Sequence, residues 1–185
     1  MSFELNKKNA LSKIDKSKKG SIDARIKDII ELINSLDDYY TTSSCSGRIL
    51  VLEPADKKNK VKWLFVTHDT VSLEEVKKAL EHAVDAWLKK ESAIFHIACK
   101  TRDAADKLLN LVRSAGFKRA GIISPKKNLI EVIGTDQLAV PLTKNKKLLV
   151  DDTYLSYVLD IANSMQLKNF KRLEILKNYI KHIKK

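Results

Sequence analysis

Arg48-Ile-Leu-Val-Leu-Glu-Pro54 and Val61-Lys-Trp-Leu-Phe-Val-Thr67, with the polar tip Lys57–Lys60 between them, read as the two strands of a hairpin. The first is a short apolar run that a proline ends. In the second, alternation puts Val61, Trp63 and Phe65 on one face and Leu64, Val66 and His68 on the other, because successive strand side chains point to opposite faces. Directly downstream, Ser72-Leu-Glu-Glu75 is a capping box, in which the serine accepts from the new helix and Glu75 reaches back to it. The helix so opened is expected to carry Leu73, Val76, Leu80, Ala83, Val84, Trp87 and Leu88 on one stripe.

Upstream, residues 1–20 are lysine-rich, with Leu11 and Ile14 a short amphipathic hint before Lys18-Lys19-Gly20. Ile22, Ile26, Ile29, Ile30, Ile33 and Leu36 then recur at helical spacing, with Ser21 available as cap. Tyr39-Tyr40-Thr41-Thr42 leads into a serine-rich turn, Ser43-Ser44-Cys45-Ser46-Gly47. Downstream, Ala93–Cys99 is a second β region, and a helix begins at Thr101 and closes at Gly116. Strands around Arg119–Ile123 and Leu129–Ile133 follow, then an extended piece over Gln137–Leu142. From Asp152 a long helical pattern runs through Leu155, Val158, Leu159, Ala162, Met165, Phe170, Leu173, Leu176, Ile180 and Ile183, as one helix or as two bent near Gln166–Asn169. The fold class is α+β: a mainly antiparallel sheet packed with helices, ending in a long basic helical region.

The 185 residues carry 35 Lys+Arg against 23 Asp+Glu, a net charge of +12, and 44% apolar residues suffice for a real core. Residues 168–185 alone hold Lys168, Lys171, Arg172, Lys177, Lys181, Lys184 and Lys185 against Glu174, so half the excess lies there. That distribution points to a polyanion, nucleic acid ahead of membrane. No apolar run approaches a membrane span, and the start has no signal-peptide core, so the cytoplasm is the expected location. Cys45 and Cys99 cannot make a disulfide scaffold, and His68, His82, His96 and His182 lack zinc spacing. Five glycines, none in G-x-G-x-x-G or Walker spacing, leave a Rossmann dinucleotide site unsupported.

The densest polar stretch is Thr41-Thr-Ser-Ser-Cys-Ser-Gly-Arg48, rich in hydroxyls, with a thiol, a glycine and a guanidinium. It can hold an anion, Arg48 forking onto a carboxylate or phosphate, or it can be a solvated connector. Cys45 is either a nucleophile or a thiol lining the site. His68 at a strand end, with Asp69 beside it, is placed to meet a ligand. His96, sharing a strand face with Ile94 and Ala98, reads as a hydrogen-bonded interior histidine. Tyr39 and Tyr40 are candidates for stacking on bases, whereas Trp63 and Phe170 fit core stripes.

Lys19-Gly-Ser-Ile-Asp23, the Thr41–Arg48 block, Trp63-Leu-Phe-Val-Thr-His68 and Gly116-Phe-Lys-Arg-Ala-Gly121-Ile, in this order, resemble the tRNA wybutosine-synthesis methyltransferase family in its archaeal single-domain form. The resemblance extends through Phe95-His96 and Val140-Pro141-Leu142 to the terminal helical region. In the family the first hydroxyl of the block is often serine, and Thr41 keeps the hydroxyl. The resemblance implies a single tRNA-modifying domain over residues 1–185. It would use S-adenosylmethionine to methylate the 4-position ring nitrogen of the tricyclic wyosine precursor, 7-aminocarboxypropyl-demethylwyosine, beside the anticodon of phenylalanine tRNA. It assigns catalytic positions to His68, Ser44 and Cys45, and substrate or cofactor positions to Lys19, Asp23, Ser43, Gly47, Arg48 and Trp63. His68 would take the ring-nitrogen proton. Lys168, Lys171, Arg172, Lys177 and Lys181 would grip tRNA phosphates, and no metal is expected. The rival readings are a nonenzymatic basic RNA-binding module and a small cysteine hydrolase built on Cys45 and His68.

Overall fold

A computed structural model of the chain describes residues 2–12, 23–57 and 60–183. In chain order the elements are α1 (Phe3–Leu11), α2 (Ala24–Ser35), β1 (Tyr39–Cys45), β2 (Arg48–Glu53), β3 (Lys62–Thr67), α3 (Leu73–Leu80), β4 (Trp87–Glu91), β5 (Ile94–Cys99), α4 (Arg102–Ser114), β6 (Gly121–Ser124), β7 (Leu129–Ile133), β8 (Leu138–Pro141), β9 (Thr143–Lys144), β10 (Lys147–Leu148) and α5 (Asp152–Lys181). The chain divides into two compact units, one of residues Met1–Ser46, Ala93–Thr135 and Phe170–Lys185, the other of Gly47–Ser92 and Asp136–Asn169. Each unit is built on one four-stranded sheet, in the orders β1-β5-β7-β6 and β3-β2-β4-β8, with every pairing antiparallel. This is the α+β, antiparallel architecture that the strand and helix periods predict.

In the first unit the period-2 pattern of β5 and β7 turns Phe95, Ile97, Ile130 and Val132 to one face, where they meet Ile26, Ile29 and Ile33 of α2 and Leu108 and Val112 of α4. Leu173 and Leu176 from the second half of α5 complete this core. Phe95 meets Phe117 edge to face at 6.5 Å, a geometry that adds to area burial. Thr101 caps α4, its hydroxyl accepting from Ala104 N–H. Gly116 takes the left-handed closing conformation at φ 97°, as its position after the helix requires.

In the second unit Ile49 and Val51 of β2, Leu88 of β4 and Val76 of α3 pack with Leu155, Val158, Leu159 and Ala162 from the first half of α5. The Ser72–Glu75 capping box is formed in both directions. Asn163 clamps the chain before it, donating to the Val71 carbonyl and accepting from its N–H, each at 2.9 Å.

Five local expectations are corrected. The stripe from Leu73 through Leu88 is not one helix: α3 stops at Leu80, and Trp87–Glu91 is the strand β4, held between β2 and β8. Pairing on both edges outweighs the helical spacing of Ala83, Trp87 and Leu88. The serine-rich stretch is not a turn but continues β1 to Cys45, paired with β5. Trp63 does not share a face with Phe65. A bulge between them sets Trp63 opposite Leu52 and Phe65 opposite Val51, so Trp63 leaves the core face and is exposed. Tyr39 is not a surface aromatic but is buried, its hydroxyl donating to the Ala104 carbonyl at 3.1 Å. Helix α2 is capped at Asp23, two residues later than a Ser21 cap would place it; Ser21 itself lies outside the described residues. The terminal pattern is one unbroken helix of 30 residues.

Phe95 is fully buried in this core, edge to face with Phe117, so Phe95→Ala should destabilise the protein by about 3–5 kcal/mol, read as a lower urea midpoint. A midpoint unchanged from the native chain would contradict this packing.

Candidate active site

The block Thr41–Arg48 straddles the boundary between the two units, Ser46 ending a segment of one and Gly47 opening a segment of the other. Gly47 has φ 90°, a conformation open to glycine and strained for any residue with a Cβ. Strand alternation distributes the block over two faces. Ser44 pairs with Phe95 and points to the core face, where its Oγ is buried with no hydrogen-bond partner among the described residues. Ser43 and Cys45, opposite His96 and Ile94, lie on the outer face. Thr41 is tied down by Asn34, whose Oδ1 accepts from its N–H at 2.8 Å. Ser46 is fully buried and donates to the Asp23 carboxylate, so Asp23 serves the block rather than capping α2 through its side chain. Lys19 lies outside the described residues.

His96 departs from its reading as an interior histidine. Its side chain sits on the outer face, with Nδ1 2.6 Å from Ser43 Oγ and Nε2 3.0 Å from Glu131 Oε1. The core face of β5 belongs instead to Phe95, Ile97 and Cys99.

In the second unit Arg48 donates through Nε to Glu91 Oε2 at 2.6 Å and stacks over Trp63 at 4.5 Å. The bulge in β3 permits this stack, because it moves Trp63 to the face that Arg48 shares. His68 Nδ1 stands 2.9 Å from the Gly47 carbonyl; a carbonyl only accepts, so Nδ1 carries the proton and Nε2 is the basic nitrogen. Gln166 donates to the His68 carbonyl at 2.6 Å and, at 3.5 Å, to that of Gly47. The Gln166 Oε1 has no hydrogen-bond partner among the described residues.

Five buried polar residues among the described residues of this unit are not marked by the sequence patterns: Lys90, Ser92, Thr143, Gln166 and Asn169. Lys90 is fully buried on the core face of β4, opposite Ile49, and donates to the Glu91 carbonyl at 2.6 Å. Ser92 and Asn169 join at 3.4 Å. Gln166 and Asn169 occupy positions that continue the apolar stripe of α5 between Ala162 and Leu173. Polar residues on a buried stripe were the available signal.

The basic side chains of α5 differ in their surroundings. Lys177 is paired with Asp28 at 2.5 Å, which raises the lysine's pKa and lowers the aspartate's. Arg172 packs beside Gly116 and over the Phe117 ring. Lys168, Lys171 and Lys181 are exposed. Among the described residues no group of three His, Cys, Asp or Glu side chains is placed to hold a metal ion, and no helix is long and apolar enough to cross a membrane.

A family model described as Methyltransferase TYW3 matches residues 5–182. The chain belongs to the methyltransferase TYW3 family. Among TYW3 relatives, it is 42% identical over 176 residues to a Pyrococcus furiosus protein, covering 91% of this chain and 89% of that one. That protein is named tRNA(Phe) 7-((3-amino-3-carboxypropyl)-4-demethylwyosine(37)-N(4))-methyltransferase 1. It is 39% identical over 184 residues to the mouse tRNA wybutosine-synthesizing protein 3 homolog, covering 95% of this chain and 72% of that one. The solved structure of PH1069 from Pyrococcus horikoshii matches the TYW3 chain with a TM-score of 0.89 at 36% identity, covering 97% of this chain and 96% of that one.

The two thiols of this TYW3 chain differ. Cys99 is buried, and burial together with nearby Asp38 pushes its pKa up to about 12, so at pH 8 it stays a neutral thiol and a poor nucleophile. Iodoacetamide at pH 8 should therefore modify Cys99 only as the protein unfolds, which peptide mass mapping with and without urea reads directly. Modification of native Cys99 at the rate of a free thiol would contradict its placement.

Proposed function

We propose that this protein transfers a methyl group from S-adenosylmethionine to the 4-position ring nitrogen of 7-aminocarboxypropyl-demethylwyosine, the tricyclic base beside the anticodon of phenylalanine tRNA. It would do so in the cytoplasm, where tRNA is found, as a single tRNA-modifying domain. The observation that carries this reading is the match to the Pyrococcus furiosus methyltransferase over nine-tenths of both chains.

The second unit's polar residues fit such a donor. A buried, unpartnered amide oxygen costs roughly 1–3 kcal/mol if it stays unmet, and Gln166 Oε1 is suited to accept from a hydroxyl or an ammonium group. Arg48 offers its guanidinium to a carboxylate, and the exposed face of Trp63 is a stacking surface for a purine. When bound, the donor supplies an electrophilic methyl group on a sulfonium. The chain's own contribution is positioning, which suits an in-line displacement. Ser43–Gly47 orders the segment around that chemistry. His68, with Nδ1–H directed to the Gly47 carbonyl, helps to hold that segment in place. The antiparallel sheets and the lack of a glycine-rich loop agree with a methyltransferase outside the Rossmann class.

The tRNA is proposed to be held by the basic side chains of α5. Mass spectrometry of hypomodified phenylalanine tRNA after incubation with the protein and S-adenosylmethionine should show one added methyl on the tricyclic base. No gain on correctly prepared substrate overturns the reading in favour of a nonenzymatic RNA-binding module. In tRNA titrations, alanine at Lys168, Lys171 or Lys181 should each lower the log–log salt slope by up to ~0.9. Lys177→Ala should change it less, because Asp28 already neutralises that charge. Equal slopes for all four variants would contradict this division.

A further inference from the structure

Ser43, His96 and Glu131 occupy directly opposed positions on the adjacent strands β1, β5 and β7. Opposed residues on neighbouring antiparallel strands have Cβ atoms about 4.5–5.5 Å apart, which lets a hydroxyl, an imidazole and a carboxylate touch in series. They do, at 2.6 Å and 3.0 Å. The roles follow from the chemistry of the three groups. A carboxylate oxygen accepts, so His96 Nε2 carries the ring proton toward Glu131; Nδ1 then holds the lone pair and accepts from the Ser43 hydroxyl. Thr42 steadies the strand, its hydroxyl donating to the His96 carbonyl at 3.3 Å.

The row is accessible. Ser43 is exposed, and the His96 and Glu131 side chains are 28% and 31% exposed. Beside it on the same face runs the half-buried apolar row Cys45–Ile94–Ile133, while on the other side Phe3 of α1 packs on Tyr40 and Ala98 is buried. A half-exposed polar row flanked by the Cys45 row is a surface on which a flat heteroaromatic base can lie with an edge N–H over Ser43.

We infer that Ser43 is the catalytic proton acceptor for the ring nitrogen, with His96 and Glu131 as its relay. This rests on the reading that a ring nitrogen is the methyl acceptor. The proton leaves the nitrogen for Ser43 Oγ as Ser43's own proton passes to His96 Nδ1, and Glu131 balances the imidazolium charge. The pair freed on nitrogen forms the new N–C bond while the sulfonium C–S bond breaks, its electrons staying on sulfur.

The test compares Ser43→Ala, His96→Gln, His96→Ala, Glu131→Gln and His68→Gln in methylation kinetics, with donor calorimetry, tRNA binding and thermal melting run beside them. Ser43→Ala and His96→Gln should lose kcat by ~10²–10⁴-fold while donor and tRNA affinities stay within about threefold, and His68→Gln should act mainly on KM. Free imidazole should restore part of the activity of His96→Ala and none of that of Ser43→Ala. Retention of kcat within about threefold in His96→Gln, or losses confined to KM or stability, would overturn the relay while native turnover upholds the reading beneath it. If the native protein leaves correctly prepared tRNA unmethylated, that reading fails and the relay falls with it. A readout independent of turnover is the ¹⁵N spectrum of His96 in the ligand-free protein. Protonation at Nε2, redistributed by Glu131→Gln, is expected; protonation at Nδ1 would overturn the relay whatever the kinetics show.

Discussion

The backbone of Gly47 carries the constraint on which the rest of the molecule depends. β1 and β2 are consecutive in sequence yet belong to different sheets, and two residues, Ser46 and Gly47, make the change. A φ of 90° there is open to glycine and would strain any residue with a Cβ. Within the second unit the Gly47 carbonyl receives His68 and Gln166. Within the first, Ser46 is buried and bonded to Asp23. Both units inherit their first strand from this one turn.

Much of the fold was legible because it is written in period and punctuation. The isoleucines of α2, the Ser72–Glu75 box, the Thr101 cap and Gly116 each act within a few residues, and each stands where the pattern puts it. What was misread is non-local. Trp87 and Leu88 fit a helical stripe as well as a strand, and β2 and β8, thirty or more residues away, decide the matter by pairing with them. The bulge in β3 is invisible in the alternation of Trp63 and Phe65, because it is defined by the partner strand. The serines after Thr42 have turn chemistry, yet a neighbour with a complementary ladder makes them strand.

Of the candidate site, the chain segment was legible and its grouping was not. The Thr41–Arg48 block, His68 and Trp63 were marked by residue type, while the distribution of Ser43, Ser44 and Cys45 between two faces required the register. His96 was judged by its apolar neighbours along β5, whereas its chemistry comes from across the strands. Gln166 and Asn169 interrupt an apolar stripe, which from sequence alone resembles a bend. In the folded chain the helix continues through them and the interruption is a buried polar cluster. Lys90 shares the core face of β4 with Leu88, a placement that only the strand pairing with β2 reveals.

Gly121 stands opposite Glu131 on β6, one strand beyond the Ser43–His96–Glu131 row, and a Cβ built there would meet nothing within 4 Å. Its φ lies outside the left-handed region, so the backbone does not demand glycine. The position is therefore a vacant fourth place beside the carboxylate, open to change at little structural cost. Natural drift or deliberate design can set a cation, an amide or a second acid there and so adjust the field at Glu131 without touching the three groups themselves. The row is adjustable from its edge.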